Sequence, residues 1–333
     1  MVRDLAAPAA LTALLSDPGV TDVLVNGPQS VWVDGVGGLR RAAVHLGDQA
    51  AVRSLAVRLA AQGGRRLDDA APMVDVHLPG GVRMHAVVPP VAPGGPLISF
   101  RVFRRQALTL EDLAAQGTFC ADGAAALRAL VDGHVNLMVS GATGAGKTTL
   151  LAALVSLASP AERIVVIEEA QEIITGHPHC VRLEARNANA EGTGLVSLTD
   201  LVRESLRMRP DRIVLGECRG PEVREVLTAL NTGHDGSAAT IHANSCRDVP
   251  ARLVALGSLA GLDGRTVAVQ AAAALGAVVH LARRPDGRRV VAELAAFELV
   301  EGELVARTAL LFGPSGLSRG PGWAALERRL ARS

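Results

Sequence analysis

Residues Gly141–Leu150 read GATGAGKTTL and fit the pattern G-x-x-x-x-G-K-[ST]. The chemistry open to such a stretch is phosphate binding. Gly141, Gly144 and Gly146 permit tight backbone angles and close approach to an anion. The amides of Gly141, Ala142, Thr143, Gly144, Ala145, Gly146, Lys147, Thr148 and Thr149, with the start of the following helix, would surround the phosphates. Lys147 would reach the β- and γ-phosphates, and the Thr148 hydroxyl would ligate Mg²⁺. A glycine-rich turn can fit this pattern by chance, so the flanks decide. Val135–Gly141 (VNLMVSG) reads as a buried strand, and Leu150, Leu151, Leu154 and Leu157 recur at helical spacing. Strand, glycine loop and helix is the context a phosphate loop requires.

Other reactive residues lie outside the loop. Glu168 closes the apolar run RIVVIE and Glu217 closes RIVLGE. Ligands of open parallel sheets bind at the carboxyl ends of strands. There one acid can polarise a water while another holds the hydration shell of a metal. Each alone could be a strand-terminal surface acid; two at matching strand ends favour the functional reading over that one. His234 and His242 fall in TGHDGSAATIHANS. They could contact a γ-phosphate, although such histidines are more often structural. No H-x-x-x-H or H-E-x-x-H pattern exists, so a zinc site is not expected. Arg83, Arg101 and Arg104 lie on strands of the N-terminal region. A solvated face is the common fate of strand arginines; the sharper reading is arginines that close onto a triphosphate.

These side chains must be carried by a definite set of elements. Val20–Leu46 reads as short strands separated by N-G-P and D-G-x-G-G turns. Asp48–Gly64 reads as a helix, with Asp48 as N-cap, Val52, Leu55 and Leu59 as its apolar face, and Gly63–Gly64 as its stop. Strands follow around Leu78–Val88 and Pro96–Arg105. This predicts an N-terminal α+β domain over 1–105 and a linker with a short helix over 106–125. Strand–helix alternation then predicts a mostly parallel sheet over 126–333. Near the C-terminus, Val278–Leu294 carries a D-G turn between strands, and Phe297–Phe312 reads as a further hairpin.

Composition narrows the function classes. The 333 residues suffice for two domains with cores. The hydrophobic fraction is 49%, yet no uncharged run is long enough to span a bilayer, and no signal peptide is expected. Cys120, Cys180, Cys218 and Cys246 are scattered without a C-x-x-C pair, which fits reduced thiols in the cytosol. A formal net charge of +1 makes no whole-chain case for nucleic acid. Aromatics at 2% leave few stacking platforms. DNA binding is therefore not expected, although local basic patches leave room for it.

The stretches NLMVSGATGAGKTTLL, ERIVVIEEAQEI, LVRESLRMRPDRIVLGECRG and LNTGHDGSAATIHANS resemble, in order, the Walker A, acidic, Walker B and histidine boxes of the type II/type IV secretion ATPase superfamily. The likeness is strongest to tight-adherence pilus assembly and conjugal-transfer ATPases, and VTDVLVNGP, GVRMHAVVPPVA and ISFRVFRR extend it into the first domain. It implies a PAS-like domain followed by a RecA-like domain, with ATP and Mg²⁺ between them. It implies that Glu168 acts on the attacking water, that Glu217 is the Walker B acid, and that His234 and His242 are the histidine-box positions. Arg83 and Arg101 then approach the nucleotide. A homo-hexamer is also implied, cytoplasmic and peripheral at the inner face of the cell membrane, working on a membrane platform protein. Two departures stand out. The acidic box reads Glu168-Glu169 where Glu-Asp is usual, and Pro221 replaces a glycine after the Walker B acid.

Overall fold

The computed structural model describes residues 4–35, 38–102, 107–186, 193–284, 286–313 and 316–331. The chain divides into two compact units, Met1–Gln106 and Ala107–Ser333. Arg104 lies outside the described residues.

The first unit contains α1 (Ala9–Ser16), β1 (Val20–Val25), β2 (Val31–Gly35), β3 (Arg40–Ala42), α2 (Gln49–Gln62), β4 (Met73–Leu78), β5 (Val82–Val87) and β6 (Leu97–Val102). The strands form one antiparallel sheet in the order β3-β2-β1-β6-β5-β4. Period-two alternation sends Val82, Met84 and Ala86 of β5 inward and leaves Arg83 and His85 outward. Val52, Leu55 and Leu59 of α2 join that core with Val23, Val33 and Phe100. Asp48 caps the helix, its side chain accepting from the Ala51 amide, and replacing such a cap typically costs about 1 kcal/mol. The outward face carries a charged row, with Asp22 opposite Arg101, Arg101 opposite Arg83, and Arg83 opposite His77.

The second unit begins with α3 (Leu110–Ala115) and α4 (Ala121–Asp132). These fall largely in the segment read as a linker, yet Leu110, Leu113 and Leu127 are buried in this unit's core. A capping box between Thr109 and Asp112 starts α3. There follow β7 (Leu137–Gly141), α5 (Lys147–Val155), β8 (Ile164–Glu168), β9 (Cys180–Glu184), α6 (Leu198–Ser205), β10 (Arg212–Cys218), α7 (Val223–Leu230), β11 (Ala238–Ile241), α8 (Val249–Leu259), α9 (Gly264–Ala274), β12 (Ala277–Arg283), β13 (Arg289–Val300), β14 (Glu303–Gly313), β15 (Gly316–Arg319) and α10 (Trp323–Leu330).

The sheet order is β15-β14-β13-β12-β7-β11-β10-β8-β9. Strands β12 through β9 in that order are parallel, and β13, β14 and β15 add an antiparallel edge. The sheet is thus mixed, because β12–β13, β13–β14 and β14–β15 each pair antiparallel with the next strand in sequence instead of crossing over. Strands buried on both faces read as continuous apolar runs. In β7, Leu137 and Val139 face one core while Met138 faces the other. No helix among the described residues is long and apolar enough to cross a membrane.

Candidate functional site

The glycine loop leaves β7 at Gly141 and enters α5 at Lys147. Gly141 could carry no side chain, because a Cβ there would come 2.6 Å from the Leu281 carbonyl oxygen of β12. Gly146, the N-cap of α5, takes φ 96°, a left-handed conformation that glycine adopts without a steric penalty. Lys147 is buried. Its ammonium donates to the carbonyls of Gly141 and Ala142, both at 3.1 Å, and reaches Nδ1 of His242 at 3.4 Å. Burial lowers the Lys147 pKa, opposed by the nearby Glu217 and Glu172 carboxylates. Thr148 is half-buried, whereas Ala142, Thr143, Gly144 and Thr149 are exposed and Ala145 is buried.

His242 follows β11, whose Ile241 pairs with Ser140 next to the loop. Its Nε2 lies 3.1 Å from Oε1 of Glu217 on β10. An ammonium can only donate, so His242 accepts at Nδ1 and carries its proton on Nε2 toward Glu217. Burial, then the Lys147 charge, push the His242 pKa down against the pull of Glu217. The ring is therefore neutral near pH 7.

Glu168 ends β8 and is 3% exposed. Its Oε1 accepts from the amides of Glu172 at 3.0 Å and Ile173 at 2.8 Å. Its buried Oε2 has no hydrogen-bond partner among the described residues. Burial pushes the carboxyl up to about 7, against the two amide hydrogen bonds. β8 stands three strand spacings from β7, roughly 14 Å. Its side chain lies against the neighbouring strand, where a Cβ on Gly216 would meet Glu168 Cγ at 2.9 Å. A buried, orphaned carboxylate oxygen with a near-neutral pKa is the kind of group that can take a proton from water.

The C-terminal sheet edge thus gathers the loop, His242, Glu217 and Glu168 on four consecutive parallel strands. His234 does not join them. β11 runs between the two histidines, so His234 lies before its start, toward the opposite edge. There Nδ1 donates to the Ala229 carbonyl at 3.0 Å, at the end of α7. Glu169 is exposed and paired with Arg219, turned away from the buried Glu168. Pro221 precedes Glu222, whose buried carboxylate accepts from the amides of Arg219 at 2.7 Å and Gly220 at 2.8 Å, shaping the entry to α7. In the first unit, Arg83 forms a bidentate pair with Asp75, and Arg101 pairs with Asp22 at 3.2 Å. Burial alone would raise the Asp75 pKa, but the Arg83 hydrogen bonds hold it below the ordinary range.

Two residues were not singled out from the sequence. Glu172 acts electrostatically on both Lys147 and Glu168. Arg289, at the start of β13, donates from Nε to the Gly144 carbonyl at 2.8 Å. The E-x-x-x-E spacing of Glu168 and Glu172 could have marked the first.

Residues 5–307 match the family described as "Type II/IV secretion system protein". A putative conjugal transfer protein of Mycobacterium tuberculosis is 52% identical over 304 residues, covering 90% of this chain and 86% of that protein. Type IV secretion system protein VirB11 of Brucella suis is 32% identical over 257 residues, covering 70% of this chain and 71% of that protein. The pilus retraction motor PilT with bound ADP superposes with a TM-score of 0.60 at 20% identity, covering 97% of this chain and 86% of that one. The Legionella pneumophila ATPase DotB gives 0.61 at 19% identity, covering 85% and 78%. At those identities the two solved structures speak for the α/β fold.

Proposed function

The chain belongs to the type II/IV secretion system protein family, and on that premise we propose that it is a motor hydrolysing ATP to power secretion or pilus assembly through domain closure. One observation carries the reading. Lys147, His242, Glu217 and Glu168 stand at the carboxyl ends of four neighbouring parallel strands, where open sheets bind ligands. The loop amides and Lys147 would hold the phosphates of ATP. Thr148 would ligate Mg²⁺, which supplies charge neutralisation between phosphate oxygens. Glu168 would take the proton of the attacking water as its oxygen bonds to the γ-phosphorus and the bond to ADP breaks. Its pKa of about 7 suits a base at neutral pH. Glu217 would orient His242 and the metal's hydration shell.

The finer parts rest on likeness. We read the first unit as PAS-like, the second as RecA-like, and the working form as a cytoplasmic homo-hexamer at the inner membrane face, acting on a membrane platform protein. Relatives named for conjugal transfer and type IV secretion support that setting. Phosphate release by purified chain with Mg-ATP, with ring assembly followed by sedimentation, tests the motor. Release independent of DNA is expected. Silent assembled rings would make the chain a nucleotide-binding switch. DNA-stimulated, salt-sensitive release would make it a DNA motor.

Arg83 and Arg101 give this mechanism a separate check. Both side chains lie on the outward face of the first sheet and pair with acids that are themselves partly exposed. Such pairs contribute only about 0.2–1 kcal/mol to stability. Arg83→Ala and Arg101→Ala should therefore melt close to wild type. If they complete the triphosphate site on closure, each should lower turnover at least tenfold, about 1.4 kcal/mol of transition-state stabilisation. Wild-type turnover in sedimentation-verified rings would remove the first unit from the mechanism.

A further inference from the structure

The segment RRPDGRR joins β12 to β13 and reads from sequence as a D-G turn between strands. Its root is held beside the glycine loop. Leu281 of β12 pairs with Gly141, and Arg289 opens β13 opposite Arg283. Val290 and Val291 are buried immediately after it, and the Val291 amide donates to the Thr118 carbonyl at 2.9 Å. Arg289 is thus anchored at its backbone while its side chain runs along the loop. Nε donates to the Gly144 carbonyl at 2.8 Å, and Cδ would be 3.3 Å from a Cβ on Gly146. The Gly144–Ala145 peptide is gripped at both ends, because the Ala145 amide donates to Ala142 at 3.2 Å. The neighbouring guanidinium differs. Arg288 binds Asp286 of its own turn at 2.8 Å and, among the described residues, makes no hydrogen bond or ion pair with the loop.

We propose that Arg289 is a positioning residue for nucleotide binding, which clasps the tip of the glycine loop through the Gly144 carbonyl and sets its shape for a phosphate. This rests on the reading of the loop as the phosphate site. The Nη groups of Arg289 have no partner among the described residues, so its charge is not cancelled by an ion pair there. A fixed loop geometry costs no ordering when the anion arrives, and a nearby unpaired cation adds attraction. Both effects act on the bound phosphates and not on the proton transfer at Glu168. Loss of Arg289 should therefore appear in binding and KM, with little change in kcat.

The test uses full-length protein, equilibrium binding of Mg-ATP and of ADP, and steady-state turnover. Arg289→Ala should weaken both nucleotides about tenfold and raise KM by a similar factor, with kcat within threefold. Its melting temperature without nucleotide should match wild type. Arg289→Lys keeps the charge but has no N–H donor at the Nε position that bonds the Gly144 carbonyl, so it should restore only part of the affinity. Arg288→Ala removes the same charge from the same hairpin and should stay within twofold. Equal losses in Arg288→Ala and Arg289→Ala would overturn the proposal in favour of general hairpin charge. Unchanged affinity in Arg289→Ala, with Lys147→Ala binding lost, would overturn it while leaving the phosphate site standing. No binding by wild type would remove both.

Discussion

Lys147→Ala is expected to bind Mg-ATP at least a hundredfold more weakly than wild type, about 2.7 kcal/mol. The structure holds this ammonium in a buried position against two loop carbonyls and His242. Those carbonyls satisfy its hydrogen bonds without neutralising it, and burial already disfavours its charge. A triphosphate would bring anions into direct contact with the ammonium, where the Glu217 and Glu172 carboxylates act only from nearby, so the ammonium gains more from the nucleotide than a solvated lysine would. Alanine forfeits that gain and leaves the loop backbone intact, so the fold should survive. Calorimetry with Mg²⁺ measures the first effect. A second readout is independent of nucleotide. The Lys147 charge helps to hold the His242 pKa down, so the His242 pKa should rise in the variant when followed by NMR. Wild-type affinity in a folded variant would end the phosphate-loop reading. An unchanged His242 titration would instead mean that the two side chains do not meet in solution.

The sequence showed the parts of this site that local pattern determines. Strand, loop and helix around Gly141–Thr148 followed from apolar runs and glycine spacing, and Glu168 and Glu217 stood out as acids closing strands. Asp48 announced the start of α2 and serves as its cap. What depended on three-dimensional neighbours was less legible. The burial of Glu168 comes from Gly216 on the next strand and from two backbone amides, none of which a lone glutamate advertises. The two histidines of the TGHDGSAATIHANS stretch read as a pair, yet β11 runs between them and carries only His242 to the loop. The polarity of that strand, already readable from its parallel neighbours, would have separated them. Strand β9 was missed because CVRLE is short and only half-buried at a sheet edge. The helix α3 carried a capping-box signature, T-x-x-D, that marked an ordered element inside a supposed linker. Arg289 had no signal of its own, since only the register of β12 against β7 brings its hairpin to the loop.

Glu168→Gln should bind ATP within a few-fold of wild type and turn it over at least a hundredfold more slowly. The amide keeps the shape and can still accept from the Glu172 and Ile173 amides, but it cannot take a proton from water. Because the wild-type carboxyl titrates at about 7, its kcat/KM should rise with pH through that region, and the variant's residual rate should lack this rise. Stability gives a further check without substrate. The folded pKa is raised from 4.5, so the folded state binds a proton more tightly than the unfolded chain. This group's contribution to stability is therefore complete below pH 4.5 and is lost as pH rises to about 7, with no further loss above. Glutamine does not titrate, so Glu168→Gln should gain on wild type across that window, by on the order of 3 kcal/mol at pH 8. Chemical denaturation of both proteins at pH 5 and pH 8 reads the difference directly. A variant that is no more stable at pH 8 than at pH 5, relative to wild type, would mean that Glu168 is already ionised at low pH. If Glu168→Gln also kept full turnover while Glu217→Gln lost it, the base would have to be Glu217, and His242 beside it would become the route for the proton.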